Sequence, residues 1–319
     1  MTGQPQRLTS GAAEEQAPSV ASGPGGIVRL AFASLTGNLD IWSLPIDPNQ
    51  GKVTGEPKRL TQDSAADFHP ALSADSNKMA WISDRSGTEE IWIRDVRTGE
   101  ERMLTAGRSG KWHPRFSPDG SRLSFAGDGK LHVMPVSGGT AEVVCENCGE
   151  ATDWSPDGKR LIGDNEEGQT WVFEVASHLK TDLLPSGRRG GVGAFSPDNR
   201  WCVFVEFTTA RTYVAPLDKL PIPESAWLFV VDNWYDTEWY GNLIYSVSDR
   251  DGFSCIWAQR LDAVTKRPVG APFAVFHAHN ARISLADTGE PYLSISRDKM
   301  LFTMAEHTGN IWMAEWKEP

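Results

Sequence analysis

The stretch Phe116-Ser117-Pro118-Asp119-Gly120 stands between two short apolar segments, and its turn recurs along the chain. A second complete copy is Ser155-Pro156-Asp157-Gly158, and weaker copies stand at residues 73–76, 196–199 and 296–299. Proline presets the first position of a tight turn, aspartate accepts a hydrogen bond from the backbone two residues on, and glycine adopts positive φ. The motif therefore predicts a hairpin that joins two strands.

Two further markers repeat with the turn, at intervals of about 40 to 55 residues. An apolar third strand stands at Ile41-Trp42, Ile91-Trp92, Leu131-His132, Thr170-Trp171, Tyr213, Ile256-Trp257 and Ile311-Trp312. A short strand closes each unit at residues 58–61, 102–105, 142–145, 182–184, 227–230 and 273–276. Repeats of this length that hold four strands each are typical of a β-propeller, in which every repeat forms one blade.

The third-strand marker occurs seven times, whereas there are six closing strands. Residues 6–9 match residues 58–61, so we predict that this N-terminal strand completes the last blade and removes free sheet edges. The chain is thus predicted to be all-β, a single seven-bladed propeller over residues 1–319. The predicted blades are 16–62, 67–105, 111–145, 150–185, 190–231, 234–277, and 288–316 with 6–9.

The charge and hydropathy of the chain exclude some classes of binding partner. The 319 residues carry a formal net charge of −11, which argues against nucleic acid and against an anionic membrane surface. No apolar run approaches the roughly 18 residues of a membrane span, and the N-terminus lacks the apolar core of a signal peptide. We therefore expect a soluble monomer, cytoplasmic as written, or extracytoplasmic if it is excised from a longer membrane-anchored protein.

The repeat resembles a known family. Phe116–Gly120, followed by Leu123-Ser124-Phe125, an aromatic third strand and a short Leu-Thr strand, resembles the TolB-like (WD40-like) propeller repeat. Residues 248–252 and 309–312 also look like propeller regions attached to bacterial serine/threonine kinases and winged-helix regulators. That resemblance implies a sensing or interaction role, although no kinase or helix-turn-helix motif is present in the chain.

The ligand face is predicted from the topology of a propeller, in which the loops that enter the first strands share one mouth of the channel. The predicted ligand-binding residues on this face are Trp112, Arg188, Arg189, Trp234, Asp236 and Arg282. Carboxylates, guanidinium groups and tryptophans together suit a protein, a peptide or a glycan. Arg188 and Arg189 either bind a carboxylate or phosphate group of a ligand, or are solvated surface charges without a ligand.

Histidine and cysteine spacing raises the question of a metal. His69-Pro70 and His113-Pro114 occupy the same register in neighbouring units, so His69 and His113 with Asp67 or Glu150 form a candidate divalent-metal site. The alternative is that each His-Pro pair opens a strand and the imidazole packs locally. Cys145 and Cys148 are either two half-buried thiols or a local disulfide. Apart from this metal, we expect no cofactor.

Two functions remain open at the level of sequence. No nucleophile elbow, phosphate loop or dinucleotide fingerprint is present, and no catalytic residue is identified. The first hypothesis is a binding module that acts as a sensor or scaffold through the entry-loop face. The alternative is a metal-assisted lyase or hydrolase that acts on a saccharide or another small polar substrate in the channel.

Overall fold

The computed structural model describes residues 14–232, 235–278, 283–285 and 292–317. The chain divides into two compact units, one from residues 1–38 with 306–319 and one from residues 39–305. The single domain that we predicted over residues 1–319 includes both of these units. The helices in the described ranges are two single 3-10 turns, Pro24–Gly26 and Glu224–Ala226. Nothing in those ranges forms a helix that is long and apolar enough to cross a bilayer.

The first unit contains the strand β1 (Glu14–Gly23) and parts of two long strands, β2 (Ile27–Asp47) and β27 (Lys299–Lys317). β1 pairs antiparallel with β2, from Gly23 opposite Ile27 to Glu14 opposite Leu35. Arg29 Nε donates to Glu315 Oε1 at 2.5 Å. Ile311 and Trp312 are 84% and 56% exposed. The other copies of the marker suggested that this Ile-Trp pair would pack in a core, but it does not.

In the described ranges, the second unit contains five four-stranded antiparallel sheets, each from one continuous stretch of chain. Their strands, in chain order and with the first strand of each sheet innermost, are β5 (Asp67–Leu72), β6 (Lys78–Ser83), β7 (Glu90–Asp95) and β8 (Glu101–Met103); β9 (Lys111–Phe116), β10 (Arg122–Gly127), β11 (Lys130–Pro135) and β12 (Glu142–Cys145); β13 (Glu150–Trp154), β14 (Arg160–Asp164), β15 (Thr170–Glu174) and β16 (Leu179–Asp182); β17 (Gly190–Phe195), β18 (Trp201–Glu206), β19 (Arg211–Pro216) and β20 (Leu228–Asp232); β21 (Tyr235–Tyr240), β22 (Leu243–Ser248), β23 (Cys255–Arg260) and β24 (Phe273–Phe276).

A sixth sheet combines both ends of the chain. Its described strands are β1, β2, β27 and β25 (Ile283–Leu285) in that order, with β26 (Ser294–Ile295) paired to β27, and with β3 (Lys52–Val53) and β4 (Lys58–Arg59) paired to β2. The innermost strands β5, β9, β13, β17, β21 and β26 each contact the next, and β26 contacts β5. The described residues of the second unit therefore form a closed ring of six blades.

The predicted count of seven blades is not confirmed. The prediction assigned β2 to a first blade and β27 to a seventh, whereas the structure pairs them in one sheet. The extra unit came from Ile311-Trp312, which repeats the third-strand marker but belongs to β27 and falls in the first unit. The predicted closing strand at residues 6–9 lies outside the described residues.

The Ser-Pro-Asp-Gly motif forms the turn between the first and second strands. Between β9 and β10, Gly120 N donates to Ser117 O at 2.8 Å, and Ser117 Oγ donates to Asp119 Oδ1 at 2.6 Å. Asp119 Oδ1 also accepts from Ser121 N, and these hydrogen bonds lower the pKa of Asp119 to about 2. Gly120 adopts a φ of +65°, the conformation that the turn requires of it.

Candidate functional site

Five innermost strands carry an irregularity near their start. The pairing register shifts in β5, β9, β13, β17 and β21, as expected of β-bulges. His69, His113 and Asp236 stand at three of the shifts with φ of 50°, 53° and 44°. A bulge changes the direction of a side chain that in a regular strand would point to one face of the sheet. The bulges thereby gather polar side chains from different blades.

His69, His113 and Tyr292 form one aromatic group at this position. The two imidazole rings stack with centroids 4.4 Å apart, and the Tyr292 ring meets each of them edge-on at 4.3 Å. Tyr292 Oη lies 3.3 Å from His113 Nε2. Burial lowers the pKa of both His69 and His113 well below the usual value, so both rings are neutral near pH 7.

Charged groups surround the aromatic group. His113 Nε2 contacts Glu150 Oε2, and Arg115 Nε donates to Thr152 O at 2.7 Å. Arg115 also lies 3.7 Å from Glu238 Oε1. Arg115 is 8% exposed, so its guanidinium brings a buried positive charge close to these carboxyl groups.

Three carboxyl groups in this region hold their protons unusually strongly. Burial raises the pKa of Glu150 and of Asp153 to about 7, and that of Glu238 to about 8, while the charge of Arg115 opposes each shift. Asp153 Oδ2 accepts from Phe195 N at 2.8 Å, which fixes it between two blades. A cluster of buried groups with shifted pKa values marks a functional-site candidate. We call His69, His113, Arg115, Glu150, Asp153, Glu238 and Tyr292 the inner-strand cluster.

A pocket of about 480 Å³ opens beside this cluster. It lies where the first strands β9 and β13 of two neighbouring blades begin and where the second strands β10 and β14 of the same blades end. Its lining includes Trp112, His113, Asp128, Glu150, Asp164, Asn165, Glu166 and Phe207. Trp112 is 39% exposed and Phe207 is 52% exposed, so the aromatic walls face solvent. We call this space the Trp112 pocket.

Gly191 allows Phe207 to lie against β17. A Cβ atom at Gly191 would stand 2.5 Å from the Phe207 ring and 2.7 Å from Asp164 Oδ2, closer than packed atoms approach. Any larger residue there would displace a wall of the Trp112 pocket.

A larger cavity of about 770 Å³ lies between the sheets β5–β8 and β9–β12, on the side of the Ser-Pro-Asp-Gly turns. Its lining includes Lys78, Ile93, Arg102 and Gly120, and none of the inner-strand cluster. The Trp112 pocket is the stronger candidate because it is continuous with His113 and Glu150.

Four of the predicted ligand-binding residues lie in the described part of the chain. Trp112 lines the pocket described above. Asp236 is 3% exposed, and its Oδ2 accepts from Leu293 N, which joins β21 to the chain before β26. Arg188 donates to both carboxylate oxygens of Glu224, at 2.8 and 2.6 Å, and Arg189 is exposed. Trp234 and Arg282 lie outside the described residues.

The predicted metal ligands His69 and His113 are neighbours, as their shared register indicated. Their rings are stacked and inclined by only 22°. In stacked rings the nitrogen lone pairs point in nearly parallel planes and do not converge, so one ring would have to rotate before both could bind the same ion. The Nδ1 atoms of both have no hydrogen-bond partner among the described residues. Cys145 and Cys148 form a disulfide, one of the two alternatives that their spacing left open.

Several residues of the site were not found from the sequence. Arg115 and Glu238 each follow a bulge residue by two positions, and Asp153 follows the shift in β13. The common signal is a charged residue inside an otherwise apolar first strand. Tyr292 and Phe207 carried no such signal.

The match to known families agrees with this architecture. The model of the TolB beta propeller domain matches residues 52–219, more than half of the chain. This chain belongs to the TolB β-propeller family. The search of curated protein sequences found no match.

Solved structures extend the comparison of this TolB-family propeller. A putative TolB from Agrobacterium tumefaciens is 17% identical with a TM-score of 0.62, covering 85% of this chain and 99% of that one. TolB from Acinetobacter baumannii is 13% identical with a TM-score of 0.56, over 90% of this chain and 78% of that one. A chain of a nidogen/laminin complex is 11% identical with a TM-score of 0.57, over 74% and 93%. At these identities the likeness concerns the fold alone.

Proposed function

We propose that this TolB-family propeller is a protein-binding module that holds a peptide segment of its partner in the Trp112 pocket. The observation that carries the proposal is the composition of that pocket, in which exposed Trp112 and Phe207 flank the carboxyl groups of Glu150 and Asp164. Exposed aromatic side chains in a concave site are typical anchors of protein interfaces. The chain then acts as a sensor or scaffold.

The charge of the pocket defines the class of peptide. Asp128, Asp164 and Glu166 line it beside Glu150, and the described residues of its lining include neither Lys nor Arg. A basic side chain of the partner would meet these carboxylates while its aliphatic stem packs on the aromatic rings. We therefore expect a peptide that presents Lys or Arg next to an apolar residue. A nidogen/laminin complex among the similar structures supports a protein as the class of partner.

A displayed library of random heptapeptides tests this proposal. Selection on the wild-type protein should enrich sequences with a basic residue beside an apolar one. Affinity should fall about tenfold or more in Trp112→Ala and Phe207→Ala, because each removes an anchor. Phe229→Ala is the matched control, since Phe229 is also exposed, at 47%, but does not line the pocket.

Equal binding of the selected peptides by all these variants would overturn the assignment of the pocket. Enrichment of acidic peptides would overturn the class of peptide. Failure to select any peptide, together with binding on a glycan array that depends on Trp112, would replace the protein partner with a glycan.

The inner-strand cluster favours a second candidate, a metal-assisted lyase or hydrolase acting on a saccharide or other small polar substrate. Its support is the group of His69, His113, Glu150 and Glu238 with shifted pKa values beside an open pocket. In this proposal His69 and His113 bind a divalent metal. Metal content that falls in His69→Ala/His113→Ala would support it, and unchanged content would remove the proposed site.

A further inference from the structure

Three different metal-ligating side chains meet at one edge of the sheet β21–β24. Asp251 lies in the turn between β22 and β23, Cys255 is the first residue of β23, and His277 directly follows β24. Ile256 pairs with Phe276 across the antiparallel strands β23 and β24. Cys255 and His277 are the next residues outward on each strand, so the register itself brings them together.

The distances between the ligand atoms match those in a zinc site. Cys255 Sγ lies 3.4 Å from His277 Nδ1, and Asp251 Oδ2 lies 3.2 Å from the same nitrogen. One possible ligand atom from each of the three residues lies within 4.8 Å of the other two. Typical zinc bond lengths in a tetrahedron separate sulfur from nitrogen by about 3.6 Å and oxygen from nitrogen by about 3.4 Å. Small side-chain movements would therefore let all three contact one ion.

We propose that Asp251, Cys255 and His277 bind one zinc ion. A thiolate, an imidazole and a carboxylate are all zinc ligands, and the sulfur disfavours magnesium and calcium, which prefer oxygen. Zinc displaces the thiol proton of Cys255, which passes to solvent. Three protein ligands leave a fourth position for water.

The surroundings suit a bound ion. The side chains of His277 and Asp251 are 53% and 30% exposed, which provides an entry path, whereas Cys255 is fully buried and fixed in the strand. The ring of His277 meets Trp257 edge-on at 6.3 Å, which limits its rotation. The ion would tie the β22–β23 turn to the chain that leaves β24, so it would stabilise this end of the blade.

Cobalt(II) substitution tests the site on the full-length protein. Cobalt bound to Cys255 gives a sulfur-to-metal charge-transfer band in the near ultraviolet, which is not produced by nitrogen and oxygen ligands alone. We expect about one zinc per chain by elemental analysis and this band in the cobalt form, with added zinc raising the Tm. Cys255→Ser should abolish the band, and His277→Gln, at an exposed position, should lower the zinc content without unfolding the protein.

The chain offers matched controls. Cys202→Ser changes the other buried free cysteine, and Cys145→Ser/Cys148→Ser removes the remaining pair; both should keep the band. His69→Ala/His113→Ala should also keep it, which separates this site from the inner-strand cluster. Absence of the band in folded wild-type protein, or its survival in Cys255→Ser, would overturn the proposal.

Discussion

His113 illustrates how a single residue collects contacts from three blades. It stands on a bulge in β9, stacks on His69 of β5, contacts Glu150 of β13 and lies 3.3 Å from Tyr292 Oη. Positive φ is uncommon for residues with a side chain, and it persists only where the surroundings hold it. The same device at Asp236 joins β21 to Leu293, so the bulges connect innermost strands as well as line a site.

Glu238 provides a prediction at the residue scale. The folded protein holds its proton up to a pKa of about 8, whereas the unfolded chain releases it near the ordinary value of 4.5. Between these values the unfolded state binds fewer protons, so the contribution of Glu238 to stability falls as the pH rises. Glu238→Gln removes this contribution. We expect its Tm relative to wild type to increase progressively from pH 5 to about pH 8.

Thermal unfolding across this pH range measures the difference. The exposed residue Glu56 supplies the control, since Glu56→Gln removes an equal charge from the surface. A Tm difference for Glu238→Gln that does not vary with pH would contradict the raised pKa.

At the scale of the strand, the same polar connection between the third strand and the chain that closes the blade occurs in each of two blades. Thr105 Oγ1 accepts from Ile91 N at 2.9 Å and donates to Glu90 Oε2 at 2.6 Å. Thr61 Oγ1 accepts from Ile41 N at 3.0 Å and donates to Asp40 Oδ1 at 3.2 Å. This repeated geometry explains why the Leu-Thr sequence ends both units. The threonine hydroxyl satisfies a buried donor and a buried carboxylate together.

Thr105→Val tests this connection. The substitution keeps the volume but leaves the Ile91 amide and the Glu90 carboxylate without this partner, so we expect a loss of about 1–3 kcal/mol in the free energy of unfolding. Thr212 is the matched control, because its hydroxyl is buried in β19 with no hydrogen-bond partner among the described residues. Thr212→Val should be neutral or stabilising in urea-induced unfolding. Equal losses in both variants would show that the hydroxyl of Thr105 contributes nothing specific.

At the scale of the second unit, the ring closes through the sheet that pairs β2 with β27. Phe302 of β27 is fully buried in a cluster with Leu44 of β2 and Tyr245 of β22. These contacts join positions near opposite ends of the sequence. Because loop-closure entropy opposes such contacts until much of the chain is ordered, we expect this blade to form late in folding.

Phe302→Ala and Phe173→Ala compare the closing blade with a blade made from one continuous stretch. Both side chains are at most 1% exposed, so each truncation should destabilise the protein by about 3–5 kcal/mol. Phe302→Ala should mainly accelerate unfolding, whereas Phe173→Ala should also slow refolding. Stopped-flow fluorescence gives both rates. A refolding rate slowed more by Phe302→Ala than by Phe173→Ala would place closure early instead.

The repeating parts of this protein were determined by the sequence alone. The Ser117–Gly120 turn is encoded locally, because its hydrogen bonds join residues at most five positions apart. Markers of third and closing strands depend on the same short-range chemistry. They identified an all-β propeller of the TolB family, and the six closing strands equal the number of blades in the ring.

The tertiary structure alone decided which ends of the chain share a sheet and which side chains meet. The Ile311-Trp312 pair has the same pattern as a third strand, but the structure places it in β27, which pairs with β2 in one sheet. The shared register of His69 and His113 predicted that they would be close together, but Glu150 and Tyr292 contact His113 from other parts of the chain. Such contacts depend on bulges and on closure of the ring, which are set by packing between blades rather than by neighbours in sequence.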